Sequence, residues 1–222
     1  TAETYAGWFK NHKLLFEPGR LVHYSNVGFD VLAISLSKAA KKSFPDLLQQ
    51  YVTGPLDMKD TVFVLSPEQK QRLMQGHDPA GAPIPDTTPA PVNYGAGALY
   101  STPNDLVKWM RWHLDRFGRK DAEARLLNHA LFVPRDGLAT VSGFGESGHM
   151  DAMGLGWVAM MPEGSRPFIL QKSGALQGTV SYIAFAPARD VAVFIAINKF
   201  DFGAAGAMIK LANNLIATFA PR

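Results

Sequence analysis

Cysteine is absent from the 222 residues of the chain, which excludes disulfides, thiol nucleophiles and cysteine-ligated metal sites. This absence does not select a compartment, because cysteine-free proteins occur in the cytoplasm and in the periplasm. Long apolar runs are lacking too: the longest, Val191–Ile197, is too short to cross a bilayer, so we expect no membrane span. The first residues also lack the basic and apolar stretches of a secretory signal peptide.

Charge of either sign is sparse and spread along the chain. Charged residues account for 18% of the sequence, the net charge is +3, and the longest basic run is Lys41-Lys42. Nucleic acid is therefore not an expected partner, because its binding requires a concentrated basic surface. No metal or other cofactor is predicted, since spacings such as H-x-x-x-H are absent among the six histidines, His12, His23, His77, His113, His129 and His149.

The overall composition is typical of a globular protein, because 47% of the residues are hydrophobic. Residues 27–42 repeat apolar side chains at helical spacing, and Ser25 or Asn26 precedes them as an N-cap, which places Tyr24 on a loop. Further helices are expected after Ser43, Ser66 and Thr102. The helix after Ser43 should stop at Gly54-Pro55, and the helix after Thr102 at Phe117-Gly118.

Residues 76–97 contain five prolines and four glycines and are predicted to form a long irregular segment, the proline-rich loop. A loop of this length in a compact domain is often functional, although a surface linker is the alternative.

From residue 154 the pattern changes to four short β-rich runs at hairpin spacing, over 155–161, 168–172, 180–185 and 191–197, followed by an amphipathic helix over 203–219. We therefore predict an α+β fold of the α/β-sandwich type. A mostly helical lobe (1–150) would join an antiparallel sheet covered by a helix (151–222), in one interdependent domain.

Two short motifs stand at opposite ends of the chain, Tyr24-Ser25-Asn26 and Lys172-Ser173-Gly174. Four further short sequence segments occur with them in a fixed order: Leu15-Phe16-Glu17-Pro18-Gly19, Gly54-Pro55-Leu56-Asp57-Met58, Gly97-Ala98-Leu99-Tyr100-Ser101-Thr102 and Gly154-Leu155-Gly156-Trp157. From about residue 8 onward, this ordered set resembles the class C β-lactamases and their relatives, the penicillin-binding proteins, D-aminopeptidases and esterases, whose motifs are S-x-x-K, Y-x-N and K-[ST]-G or H-x-G.

The resemblance implies a periplasmic or secreted serine acyl hydrolase that acts on β-lactam or D-Ala-type amide substrates through an acyl-enzyme. Lysine at position 172, where other relatives have histidine, favours a β-lactamase or carboxypeptidase. An esterase or D-amino-acid amidase on the same fold is an alternative. A fragment or degenerate homologue that binds without turnover is another.

The resemblance also assigns roles to individual residues. Tyr24 would transfer protons between the nucleophile, the leaving nitrogen and Lys172, which must help because a free phenol with a pKa near 10 is a poor base. Asn26 would donate its amide to a substrate carbonyl, or else cap the following helix. His23 adjoins Tyr24 and could tune it, although an incidental loop histidine is the simpler interpretation.

The second motif would bind the substrate itself. Lys172 and the Ser173 hydroxyl would hold the substrate carboxylate, and Gly174 would allow a close approach to the strand. The backbone N–H of Ala175 would form half of the oxyanion hole. The strand is expected to end at Lys172.

The nucleophile is the element that the sequence does not supply in its expected place. The family carries S-x-x-K many tens of residues before Y-x-N, whereas 23 residues precede Tyr24 here. The match Ser35-Leu36-Ser37-Lys38 lies after Tyr24, and we interpret it as a chance occurrence. We therefore expect the N-terminal strands and nucleophile helix of the fold to come from another chain or segment, without which a sheet edge and an apolar face would be uncovered.

Overall fold

The computed structural model describes residues 1–142 and 150–222, so that His149 lies outside the described residues. Its helices are α1 (Ala2–Lys10), α2 (Asn26–Ala40), α3 (Phe44–Leu48), α4 (Pro67–Gln71), α5 (Pro103–Leu114), α6 (Ala122–His129) and α7 (Phe202–Phe219). Its strands are β1 (Leu21–His23), β2 (Val133–Pro134), β3 (Thr140–Ser142), β4 (Ala152–Met153), β5 (Val158–Met160), β6 (Ile169–Leu176), β7 (Thr179–Ala186) and β8 (Val191–Ile197).

The main sheet is antiparallel and has the strand order β2-β4-β5-β6-β7-β8. Strands β6, β7 and β8 are consecutive in the chain and neighbours in the sheet, as expected for hairpin connections. A separate pair joins β1 to β3 in parallel, with Leu21 opposite Thr140. The predicted α+β fold with an antiparallel sheet and flanking helices is confirmed.

One helix packs on each face of the sheet at strands β7 and β8. On one face, α7 buries Met208, Ala212 and Ile216 against Ile169 and Tyr182. On the other face, Trp157, Leu170 and Phe185 form a cluster that also includes Trp109 and Leu114 of α5. Alternate residues of β7 enter these two clusters, so β7 is apolar on both faces, whereas only Ile169 and Leu170 at the start of β6 do so.

The predicted helix starts are confirmed by capping hydrogen bonds. Ser25 Oγ accepts from the N–H of Gly28 at 3.0 Å and caps α2. Ser43, Ser66 and Thr102 accept in the same way at the starts of α3, α4 and α5, which have Pro at the first or second helical position.

Several boundaries differ from the expected ones. Helix α5 ends at Leu114, before Phe117-Gly118, because the Asp115 carboxylate accepts from the N–H of Gly118 and closes a turn. The helix that begins after Ser43 continues from α3 as a π-helical turn, Gln49–Thr53. Helices α1 and α6, which were not predicted, have only nine and eight residues. Such short helices carry too few turns for a clear apolar repeat.

The proline-rich loop is irregular, as predicted, and includes one short 3₁₀ turn, Pro91–Asn93. No helix within the described ranges is both long enough and apolar enough to span a bilayer. The division into lobes at residue 150 stays a prediction.

Candidate active site

Tyr24 lies in the two-residue link between β1 and α2. Strand β1 ends at His23, and Ser25 already caps the helix, so the backbone on both sides of Tyr24 is fixed. The side chain is exposed, as its predicted position on a loop implied. The end of β1 and the start of α2 therefore determine where the Tyr24 backbone lies.

Lys172 lies in the middle of β6, so the expectation that its strand ends there is wrong. Strand β5 pairs with β6 only as far as Gln171, whereas β7 pairs with it as far as Leu176. Pairing with β7 keeps the later residues extended although β5 has ended. Among the described residues, no strand pairs with the other edge of β6 beyond Gln171.

The two motifs meet at this edge. Lys172 Nζ lies 5.3 Å from the centroid of the Tyr24 ring, within the range of a cation–π contact. The same ammonium donates a hydrogen bond of 2.6 Å to the backbone carbonyl of Ser173. The fold thus brings together the phenol and ammonium that the sequence singled out.

Ser173, Gly174 and Ala175 continue along β6. Gly174 and Ala175 are exposed, and Gly174 is opposite Ser181 of β7. A Cβ atom at position 174 would lie 3.5 Å from Ser181 Oγ, an ordinary contact, so neighbouring residues do not require glycine there. An unobstructed approach from solvent remains the physical reason for a glycine at this position.

Ser181 is a polar neighbour of the site that the sequence analysis did not single out. It could have been found by placing the turn at Gln177-Gly178 and counting back along both strands, which puts Ser181 opposite Gly174.

Asn26 is the first residue of α2, and its side chain is exposed. Because Ser25 supplies the cap, Asn26 is not needed for that role. Its predicted contact with a substrate carbonyl stays a prediction.

Ser35 belongs to the exposed surface of α2. Its hydroxyl donates to the carbonyl of Val31, one turn earlier in the same helix, at 2.8 Å. Lys38, its partner in the S-x-x-K match, is also exposed on this helix. The local geometry is that of an ordinary helical serine bonded to its own backbone.

A histidine pair under the sheet was not predicted. His113 of α5 is buried, and its Nδ1 lies 2.8 Å from Nε2 of His129 at the end of α6. Burial, helped by the charges of His129 and Arg125, lowers the pKa of His113 to about 3, and burial also lowers the pKa of His129. Both rings are therefore neutral at pH 7 and pack with Phe185.

Metal ligation requires more than this pair. Within the described parts of the chain, no three histidine, aspartate or glutamate side chains are placed to hold a metal ion. The sequence could not reveal the pair, because the two histidines come from separate helices and meet only through packing.

Comparison with known proteins decides the family. A family model described as Beta-lactamase matches residues 2–217, nearly the whole chain. The chain belongs to the β-lactamase family. The predicted resemblance to class C β-lactamases and penicillin-binding proteins is thereby confirmed.

Among curated members of the β-lactamase family, the chain is similar to the D-alanyl-D-alanine-carboxypeptidase/endopeptidase AmpH of Escherichia coli. The two are 37% identical over 189 residues, which cover 84% of this chain and 48% of AmpH. A Beta-lactamase of Pseudomonas fluorescens is 23% identical over 211 residues, 86% of this chain and 58% of that protein.

Solved structures of this family show the same fold. A β-lactamase/D-alanine carboxypeptidase from Yersinia pestis has a TM-score of 0.84 and 32% identity, over 99% of this chain and 61% of that one. A class C β-lactamase has a TM-score of 0.75 and 18% identity, over 95% of this chain and 62% of that one. The chain spans about half the length of the curated relatives it matches.

Proposed function

We propose that this chain supplies the proton-transfer and substrate-binding side of a serine acyl hydrolase that acts on β-lactam or D-Ala-type amides through an acyl-enzyme. The contact between Lys172 and Tyr24 carries the proposal, because it brings an ammonium and a phenol together beside an open strand edge. The similarity to AmpH supports the substrate class, since that relative is named a D-alanyl-D-alanine-carboxypeptidase/endopeptidase.

The proton transfer is assigned to Tyr24 and Lys172. Opening of an amide by a serine requires that the hydroxyl proton leave and that a proton reach the departing nitrogen. A phenol whose oxygen can release and take up a proton serves both steps. The ammonium of Lys172, 5.3 Å from the ring centroid, stabilises the negative charge that develops on the phenol oxygen.

The exposed end of β6 is assigned to the substrate. Lys172 and the Ser173 hydroxyl bind its carboxylate, and Gly174 leaves space for its backbone. The backbone N–H of Ala175, an exposed residue, donates one hydrogen bond to the oxyanion, while Asn26 donates to a carbonyl of the substrate. No cofactor is needed for this chemistry.

The nucleophilic serine and its lysine are assigned to a segment or chain outside the printed sequence. Ser35 does not suit the role, because its hydroxyl is bonded to the α2 backbone. Strand β8 also forms an edge of the main sheet in the described residues, with apolar side chains that are only partly buried. The completing segment would pair with β8. A substrate that belongs to the bacterial cell wall places the enzyme in the periplasm or outside the cell.

The test uses the complete polypeptide, together with the segment or chain that is proposed to supply the nucleophile. Tyr24→Phe and Lys172→Ala should each slow acylation by benzylpenicillin about 100-fold or more, because each removes a group of the proton-transfer path. Intact-protein mass spectrometry would follow the penicilloyl adduct over time. Tyr51→Phe and Lys210→Ala, at exposed positions on other helical segments, should acylate like the unchanged protein.

The site of the adduct separates the alternatives. An adduct on a serine outside these 222 residues supports the proposal, whereas an adduct on Ser35 overturns it. Rapid turnover of short p-nitrophenyl esters without an effect on a chromogenic cephalosporin would point to an esterase. Neither adduct nor turnover in the complete polypeptide would point to a non-catalytic binder.

A further inference from the structure

The turn that joins β6 to β7 has an unusual residue in its first position. Gln177 and Gly178 have φ angles of +48° and +76°, so the two-residue turn is of the type that requires positive φ at both positions. Asn-Gly, Asp-Gly and Gly-Gly are preferred there, because side chains longer than those of Asn and Asp are disfavoured in the left-handed region. Gln177 therefore stays in an unfavourable conformation.

The Gln177 side chain provides a reason for this conformation. Its Nε2 donates to the backbone carbonyl of Thr87 and lies 3.1 Å from the Thr87 hydroxyl oxygen. Thr87 belongs to the proline-rich loop, so this one amide connects the middle of the loop to the end of β6. An asparagine, shorter by one methylene group, would suit the turn better but would not extend as far.

We call the hydrogen-bonded contact between Gln177 and Thr87 the tether. Both backbone segments that it joins are themselves fixed. The N–H of His77 donates to the carbonyl of Gly178, and a Cβ atom at position 76 would lie 1.9 Å from the carbonyl oxygen of Gln177, so the start of the loop packs directly on the turn. Next to Thr87, the Asp86 carboxylate accepts a 2.7 Å hydrogen bond from the Tyr100 hydroxyl. The tether thus joins two anchored backbones and sets their separation.

The tether lies next to the proposed substrate edge. Gln177 is two residues beyond Ala175, and a Cβ atom at Gly97, the last residue of the loop, would contact Leu176 at 3.7 Å. Gly174, Ala175 and Leu176 have β7 on one side and no strand on the other among the described residues. Their position is therefore sensitive to what holds the turn.

We propose that Gln177 is a positioning residue, which holds the proline-rich loop against the end of β6 and thereby fixes the backbone N–H of Ala175 for the oxyanion. The kinetic part of this proposal rests on the proposed function. The tether itself does not, because it is a contact within the described chain.

The test introduces Gln177→Asn into the complete polypeptide and measures the melting temperature and the acylation rate separately. Asn suits the turn, so the melting temperature should stay the same or rise, while the acylation rate with benzylpenicillin should fall about tenfold because the oxyanion donor is displaced. Gln177→Glu keeps the length of the side chain but removes the donor N–H, and should lower the acylation rate as well. Gln71→Asn, at the exposed last residue of α4, is the matched control and should leave both values unchanged.

Hydrogen exchange of backbone amides tests the tether independently of the acylation reaction. Gln177→Asn should speed exchange in residues 84–90 and 174–178, whereas Gln71→Asn should not. If exchange in both segments stays as in the unchanged protein, or if both Gln177 variants acylate within twofold of it, the proposal is overturned. Faster exchange in a polypeptide that no β-lactam acylates would uphold the tether and reject the proposed function instead.

Discussion

Strand β7 pairs with the strand that carries Lys172, helix α2 follows Tyr24, and the two elements differ sharply in how their apolar side chains are buried. Tyr182, Ala184 and Phe185 of β7 have no exposed surface, whereas Phe29 and Leu32 of α2 are 43% and 50% exposed. Both elements are rich in apolar residues, so composition does not cause the difference. The difference arises because α5 and α7 cover the sheet from within this chain, while much of the α2 surface has no such cover in the described residues.

This contrast shows that the Lys172 motif packs on a better buried part of the chain than the Tyr24 motif does. Lys172 follows the buried residues Ile169 and Leu170 on β6, while Tyr24 precedes a helix with a large exposed apolar surface. Exposed apolar patches of this kind mark interfaces. If the proposed completing segment exists, the Tyr24 side is therefore where it would have its main structural effect.

The largest effect is expected from Phe185→Ala. Phe185 packs against Trp157 and the histidine pair with no exposed surface, so its truncation should lower the free energy of unfolding by about 3–5 kcal/mol. Urea unfolding followed by tryptophan fluorescence would measure the loss. Phe117→Ala is the control, because Phe117 is 87% exposed and should change the value by less than about 0.5 kcal/mol. Equal losses in both variants would contradict the assignment of the core.

The next largest effect is expected from acid, through the histidine pair. Because the pKa of His113 is about 3 when folded and near 6.5 when unfolded, the unfolded state binds more protons in between, so stability falls as the pH drops through this window. From pH 7.5 to pH 5 the loss should be about 2 kcal/mol. Thermal unfolding across this range would measure it.

His113→Phe should flatten this pH dependence, since it removes the titrating group and keeps an aromatic ring beside Phe185. Met110→Leu, at a buried position on the same helix, should shift all the melting temperatures without changing their slope against pH. A His113→Phe profile that is as steep as that of the unchanged protein would show that other groups cause the acid loss.

The smallest effect is expected from Leu32→Ala in the 222-residue chain. The side chain is half exposed there, so its loss should change the free energy of unfolding by about 0.5 kcal/mol or less. In a polypeptide that includes the preceding segment, the same substitution should cost about 2 kcal/mol or more if that segment covers α2. A small value in both proteins would mean that α2 is not the surface that the segment covers.

The sequence predicted what local chemistry controls and missed what packing creates. Ser25 as a cap and the β6–β7 hairpin followed from turn and capping residues that act within a few positions. The parallel pairing of β1 with β3 and the contact between His113 and His129 join distant parts of the chain and leave no periodic signal. The predicted strand end at Lys172 is wrong because β7 continues to pair with β6 beyond the last residue that β5 pairs with.

The β1–β3 pair has a consequence for the order of folding. Hairpins β6–β7 and β7–β8 join residues that are close in sequence, so they can form early. Pairing of β1 with β3 instead closes a loop that contains most of the helices, which makes it slower. The link that holds Tyr24 depends on that late pairing. When the whole chain refolds, the strand edge that carries Lys172 would therefore be present before the tyrosine reaches it.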